Sequence, residues 1–330
     1  MGRLAAAALL FGAWGCTRSP STLSAHGTRA ARVAPLGWYL VVASVVVVVL
    51  IIALVLIGIF RRHPAEQSPP TERPDGLKWI LYGGLVFPTV VLSGTLVWVL
   101  VVLGGSAAPE RKAALTVQVI GHRWWWEVHY LGNDSASRAA DANELHLPVG
   151  QPVRLELSSS DVIHSFWVPE LAGKTDLIPG QTNVTWIEAD QPGSYHGQCG
   201  EYCGVQHAHM ELTVVAQPPA EFARWLAHQR RPADEPRDST ARAGERAFVT
   251  GQCAMCHTVQ GTRAQGKIGP DLTHVGSRRT IAGGMLPNTR GNLAGWIANA
   301  QALKPGSAMP QLYLKPADLQ AIVTYLQTLK

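Results

Sequence analysis

Residues 197–210 read GQCGEYCGVQHAHM, and the fold follows from how this stretch is read. Cys199, Cys203, His207 and Met210 stand at successive spacings of four, four and three, with Glu201 between the cysteines. Thiolate, imidazole and thioether form a soft set, the ligand class that selects copper in electron-transfer sites. The spacing would also suit one face of a helix, but Gly197, Gly200 and Gly204 work against a regular helix. A loop wrapped around a metal is expected. A disulfide between the two cysteines and zinc held by thiols and histidines are the alternatives. Neither accounts for the methionine that closes the run.

On both sides of this stretch, apolar and polar residues alternate with period two. LTVQVIG, RWWWEVHY, PVRLELSSS, TNVTWIEA and MELTVVA are each bounded by Gly, Pro, Asn or Asp. This pattern predicts an antiparallel sandwich with Greek-key connections over 111–216, and a cupredoxin with its metal loop between the last two strands fits it. Trp124, Trp125 and Trp126 are consecutive. A strand cannot turn all three inward, so at least one is expected at the surface or at an interface. One further histidine is needed for the metal, and DVIHSFWVP supplies His164.

Downstream, PAEFARWLAHQRR predicts a short amphipathic helix, and ADEPRDSTARA a polar linker, together spanning 217–240. Residues 241–330 open with a helix, ARAGERAFVTGQ, that runs into Cys253-Ala-Met-Cys256-His257. The motif C-x-x-C-H marks covalent haem c attachment: two thiols add to the haem vinyl groups and the adjacent imidazole is held under the iron. A thioredoxin-like pair would need a preceding strand, and zinc a second ligand pair. Neither is in the sequence. Gly244 and Phe248 are expected to pack against Tyr325 of the last helix, PADLQAIVTYLQTLK.

Before the β pattern lies an apolar start. Residues 1–16, MGRLAAAALLFGAWGC, read as a secretory signal, of the lipoprotein type if Cys16 becomes a lipidated N-terminus. Residues 38–60 carry no charge and no proline, and at about 1.5 Å per residue they can cross a ~30 Å hydrocarbon core. Arg61 and Arg62 place that end in the cytoplasm. A second span is expected over 79–103, with Pro88 as a kink. The two spans make a transmembrane hairpin (38–103), so everything after it lies outside the cytoplasm.

GHRWWW, DVIHSFWVP, KTDLIPGQTN and GQCGEYC stand in the order found in cytochrome c oxidase subunit II, and nearly all of residues 38–230 resembles that family. The resemblance implies a binuclear copper A centre in which both cysteine sulfurs bridge two coppers. Its ligands would be His164, Cys199, the backbone carbonyl of Glu201, Cys203, His207 and Met210. It further implies that Trp124 passes electrons to the copper pair, and that the Glu201 side chain can ligate a magnesium ion at the interface with subunit I. Many family members carry a glutamate at the head of the second span that feeds a proton channel. Asp75-Gly76 stands near that place here, so that role is not carried over. The last domain is similar to small class I cytochromes c. That likeness implies Met309 of SAMPQL as the sixth haem ligand, with Met285 as the competitor, and the Pro270 carbonyl as partner of His257 Nδ1.

Charge divides along the same boundaries. Residues 111–216 hold 6 Lys+Arg against 12 Asp+Glu, and residues 241–330 hold 10 against 3. Opposite signs on adjoining domains favour their contact. The basic residues of the last domain are scattered rather than stacked, which argues against nucleic acid.

The chain therefore reads as a multidomain membrane protein. It has a two-helix transmembrane hairpin, an all-β cupredoxin Greek-key sandwich and an all-α class I cytochrome c domain. The expected function is that of the electron-relay subunit of a caa-type haem-copper oxidase in a bacterial cell membrane. Electrons would pass from a cytochrome c or bc-complex donor through haem c and copper A to subunit I, where oxygen is reduced with proton translocation. The relay subunit of a copper A nitric oxide reductase is the alternative. A membrane-anchored copper chaperone or thiol oxidoreductase is more remote, since such proteins lack His207 and Met210 at these spacings.

Overall fold

The computed structural model describes residues 21–61, 74–109, 111–113, 115–132 and 139–330. The expected signal segment, Cys16 and Arg62 lie outside the described residues. The described residues divide into two compact units, one lying within 31–108 and the other comprising the rest.

The smaller unit holds most of α1 (Thr28–Phe60), then α2 (Pro74–Lys78), a π-helical segment (Trp79–Val86) and α3 (Phe87–Ser106). Both runs are long and apolar enough to cross a membrane, and their apolar side chains face outward along nearly the whole length. Tyr39 and Thr95 hydroxyls lie 3.2 Å apart between the two helices, and the Tyr39 ring sits 5.3 Å from Trp98. The first helix starts ten residues before the uncharged run and carries Pro35 inside it. A helix of 33 residues is roughly 50 Å long, so only part of it needs to be apolar. Pro88 sits in the first turn of α3, directly after the π-helical turn. Its missing N–H leaves that turn free to shift register instead of breaking the helix.

In the larger unit, ten strands among the described residues form a β lobe. They are β1 (Leu115–His122), β2 (Trp125–Tyr130), β3 (Ala139–Ala142), β4 (Glu144–Pro148), β5 (Val153–Ser159), β6 (His164–Trp167), β7 (Thr175–Leu177), β8 (Asn183–Ile187), β9 (Gly193–Cys199) and β10 (Glu211–Gln217). One sheet runs β3-β2-β1-β5-β8 and the other β4-β10-β9-β6-β7. Alternation along the strands sends Val117, Val119, Trp126, Leu155, Leu157 and Val214 into one core. Two pairs differ from the antiparallel expectation: β1 with β5, and β4 with β10, are parallel. Period-two patterning fixes which face is buried but not which strand lies alongside, so these crossovers left no local mark.

On the outer face of β1 and β2, Glu127 bonds His122 and His129 at 2.8 Å each. Burial would push this carboxyl up, yet the two imidazoles hold it at about 2. A group with a depressed folded pKa stabilises the fold fully above its unfolded value and loses that contribution as pH falls through the folded one. The window here runs from about 4.5 down to about 2. On the order of 1–3 kcal/mol is at stake. Glu127→Gln is expected to shrink the fall in Tm between about pH 5 and about pH 2.5. An acid sensitivity equal to the wild type would show that the triad carries no linkage.

The chain leaves the β lobe through α4 (Pro219–Gln229), where Phe222, Trp225 and Leu226 form one apolar stripe. Trp225 stacks on His146 with ring centroids 3.9 Å apart and 5° between planes. The segment that follows is pinned rather than loose: Ala233 N donates to the Gln260 carbonyl, and His274 Nε2 lies 3.0 Å from the Arg231 carbonyl.

A helical lobe completes the unit. It contains α5 (Ser239–Thr250), α6 (Cys253–Cys256), a two-residue pairing of β11 (Thr280–Ile281) with β12 (Leu286–Pro287), α7 (Arg290–Ala298), α8 (Ala300–Leu303) and α9 (Pro316–Thr328). Asp238 caps α5 by accepting from Ala241 N at 2.8 Å. α5 and α9 cross at Gly244, where a Cβ would collide with the Ala321 carbonyl. Phe248 and Tyr325 meet beside that crossing at 5.9 Å.

Candidate functional site

The loop between β9 and β10 brings the quoted donors together. Cys199 ends β9, a 3₁₀ turn spans His207–His209, and Met210 immediately precedes β10. Cys199 and Cys203 sulfurs are 3.8 Å apart and unbonded, nearly twice a disulfide length. His207 Nδ1 lies 3.5 Å and Met210 Sδ 3.8 Å from Cys203 Sγ. His164, 35 residues upstream on β6, brings Nδ1 to 3.9 Å from Cys199 Sγ, and the Glu201 carbonyl lies 3.2 Å from the same sulfur. His164, Cys199, Cys203 and Met210 are buried. The result is a dry row of soft donors, with two sulfurs in the middle, a histidine toward each end and hard oxygen only at the Glu201 carbonyl. That set suits copper better than a hard cation.

Electrostatics divides the two thiols. The neighbouring Cys203 sulfur, with His164 alongside, lowers Cys199 against the effect of burial. Proximity to that thiolate, together with burial, pushes Cys203 up. Thiols must lose their protons to ligate, so a cation bound here would draw them off.

Several residues that shape the site were not marked by sequence reasoning. Asp161 Oδ1 lies 2.8 Å from His164 Nε2, which turns Nδ1 toward the sulfurs. Gly121 gives the His164 ring its room, since a Cβ there would fall 2.8 Å from Cδ2. Lys174 Nζ pairs with the Glu201 carboxylate at 2.9 Å and so directs it away from the sulfurs. An acid three residues before a histidine is the one signal that could have pointed to Asp161. Nothing local announced the other two.

The tryptophans separate by face. Trp126 is fully buried in the β core, and Trp125 stacks on His122 with centroids 4.3 Å apart. Trp124 is 7% exposed, its Nε1 donates to the Cys203 carbonyl at 3.0 Å, and its ring faces Gly306 of the helical lobe. It is the residue at an interface.

In the helical lobe, a cavity of about 460 Å³ is lined by Cys253, Cys256, His257, Trp296, Met309 and further apolar side chains. A smaller cavity of about 130 Å³ shares His257 and Met309 and is also lined by Trp124. Both volumes belong to one slot between α6 and the Met309 loop. His257 Nδ1 lies 2.8 Å from the Pro270 carbonyl, so Nε2 is the ring nitrogen left for a ligand. Burial pushes His257 down, against the Pro270 contact, which keeps the imidazole neutral and able to coordinate. Gln301 Nε2 donates to the Met309 carbonyl at 2.6 Å and the Ser307 carbonyl at 2.7 Å, fixing the loop that carries the methionine. A largely apolar slot with two thiols on one short helix, one imidazole nitrogen left for a ligand and one thioether fits a covalently held haem.

Comparison with known proteins gives the family. Residues 131–217 match the profile described as cytochrome c oxidase subunit II, periplasmic domain, and residues 241–330 that of cytochrome c. Cytochrome c oxidase subunit 2 of Alkalihalophilus pseudofirmus is 34% identical over 304 residues, 88% of this chain and 84% of that one. The chain belongs to the cytochrome c oxidase subunit II family. Cytochrome c oxidase subunit 2 of Bacillus sp. PS3 is 30% identical over 294 residues, 82% of this chain and 80% of the relative. A crystal structure of the periplasmic domain of subunit II from Bradyrhizobium japonicum is 31% identical, with a TM-score of 0.34. It covers 36% of this chain and 96% of that one. The family match, with two helices long enough to span a bilayer, makes the chain a membrane-anchored protein with an extracytoplasmic part that has metal- and haem-binding potential.

If Asp161 orients a ligating imidazole, removing its charge should loosen metal. Asp161→Asn is expected to lower copper affinity about 10–100-fold while leaving the fold intact. Competition with a chelator measures it, and an unchanged affinity would remove Asp161 from the ligand frame.

Proposed function

We propose that this chain is the electron-relay subunit of a haem-copper cytochrome c oxidase in a bacterial cell membrane. His164, Cys199, the Glu201 carbonyl, Cys203, His207 and Met210 hold binuclear copper A. Cys253 and Cys256 anchor haem c, and His257 and Met309 ligate its iron. When bound, both groups take up and release one electron at a time without making or breaking bonds to substrate.

The chain's own residues prepare that exchange. Two sulfurs between two imidazoles share charge, so little geometry need change on reduction. The β core and the covering lobe keep water away from the sulfurs. Pro270 holds His257 in one tautomer, and Gln301 holds the Met309 loop. Trp124 joins the two sites: its indole Nε1 donates to the Cys203 carbonyl, and the residue lines the smaller cavity together with His257 and Met309. That juxtaposition is the observation that carries the reading. Electrons leave for subunit I, which contains the oxygen site. The donor is a cytochrome c or a bc complex. A magnesium ion on Glu201 would have to displace Lys174 from the carboxylate.

The test is turnover of the complex purified from its native membrane. Oxygen uptake with reduced cytochrome c, accompanied by proton release, is expected. Reduction of nitric oxide in place of oxygen would assign the chain to the other class of relay.

A further inference from the structure

Lys304 is 2% exposed, an unusual place for a lysine. Burial pushes its ammonium down to about 8. An ammonium has three donors and no acceptor, and here every donor has a carbonyl. Nζ lies 2.8 Å from Trp124 O, 2.7 Å from His209 O and 2.7 Å from Ala282 O. The first two carbonyls belong to the β lobe, and the third to the helical lobe that carries Lys304.

Other bonds surround it. Glu211 N donates to the Gly283 carbonyl at 2.9 Å, and Gln206 Nε2 to the Pro305 carbonyl at 3.0 Å. Arg278 Nε donates to Asp141 at 2.7 Å, with both side chains almost fully buried, and Arg279 N donates to the Glu144 carboxylate. Net charge alone would give a loose, salt-sensitive contact between the lobes. These groups are shielded, and buried pairs are screened far less. Separating the lobes would strand or rehydrate all of them, and closing again would mean desolvating an ammonium and an ion pair at each encounter.

We propose that Lys304 is a positioning residue that clamps the helical lobe over Trp124, so that haem slot and sulfur cluster keep one fixed spacing instead of meeting by excursions of a tethered lobe. Trp124 is gripped from both sides: Lys304 holds its carbonyl and Cys203 accepts from its indole. The bearing on electron transfer rests on the function proposed above. The clamp itself does not, and two of the three readouts below need no knowledge of the metals.

In the assembled complex, acylation of lysines by a small succinimidyl ester is expected to be at least about tenfold slower at Lys304 than at exposed Lys315 and Lys330. Lys304→Met keeps the length of the side chain and removes its donors. It should lower protection from hydrogen exchange at the Glu211 and Arg279 amides about tenfold or more, while the α9 amides stay unchanged. Transfer from haem to copper after flash reduction should slow about tenfold or more, beyond what any change in the measured haem potential accounts for. Labelling of Lys304 as fast as Lys315 overturns the clamp, as does a Lys304→Met protein with wild-type protection at both amides. Lost protection with an unchanged transfer rate overturns its bearing on electron flow. The labelling result requires no variant to fold, and a chain that bound no copper would still return it.

Discussion

Cys203→Ser is expected to abolish electron delivery to oxygen while leaving the haem lobe reducible. Cys203 Sγ is the hub of the donor row, within 3.8 Å of Cys199 Sγ and Met210 Sδ and 3.5 Å from His207 Nδ1. Serine replaces a soft sulfur donor with a hard hydroxyl that copper binds poorly. With one of the two central sulfurs gone the site loses a shared donor, so copper content should fall by half or more. Oxygen uptake should drop by a factor on the order of 10³ or more, since the relay loses its middle. The helical lobe has its own core, around Phe248, Ile322 and Tyr325, and its own ligands, so haem c should still load and accumulate in the reduced state during turnover. Absorption of the haem under steady state, read beside an oxygen electrode, tests both halves. Normal oxygen uptake in the Cys203→Ser protein would mean that electrons bypass the sulfur cluster.

Met309→Ala should act at the other end, through potential rather than loading. Thioether ligation favours ferrous iron and raises the haem potential toward that of an acceptor. Removing it is expected to lower the potential by on the order of 0.2 V, well inside the range that axial ligands span. At about 59 mV per tenfold for one electron, that shifts the haem-copper equilibrium by roughly 10³ against the copper site. Covalent attachment through Cys253 and Cys256 is untouched, so haem content should remain normal while the midpoint falls. Met309 lines both parts of the slot, whereas Met285 belongs to the β11–β12 turn and is not among the lining residues. A redox titration separates them: an unchanged midpoint in the Met309→Ala protein would move the sixth ligand elsewhere.

The donor loop and the haem motif were legible because their chemistry is written locally. Soft ligands within one short loop, broken by glycines, leave few folds that can present them together, and C-x-x-C-H carries its own attachment geometry. The β sandwich was legible from alternation, and the α5–α9 crossing from Gly244 opposite Tyr325. What stayed hidden depends on distant partners. Lys304, between Leu303 and Pro305, reads as an ordinary surface lysine until Trp124 O and His209 O are brought to it. Asp141 and Arg278 lie 137 positions apart and give no sign of each other. The parallel neighbours of β1 and β10 depend on crossovers that no strand encodes alone. Pro88 predicted a kink in the second span, and the structure has a π-helical segment over Trp79–Val86 directly before it.

If the sulfurs of Cys199 and Cys203 join a pair of coppers, metal analysis and electron paramagnetic resonance of the complex matured in its native host should find two coppers per chain beyond those of the oxygen site, and in the oxidised state one unpaired electron whose hyperfine coupling is shared by both nuclei. Zinc in the site, or no metal and a Cys199–Cys203 disulfide, would contradict it.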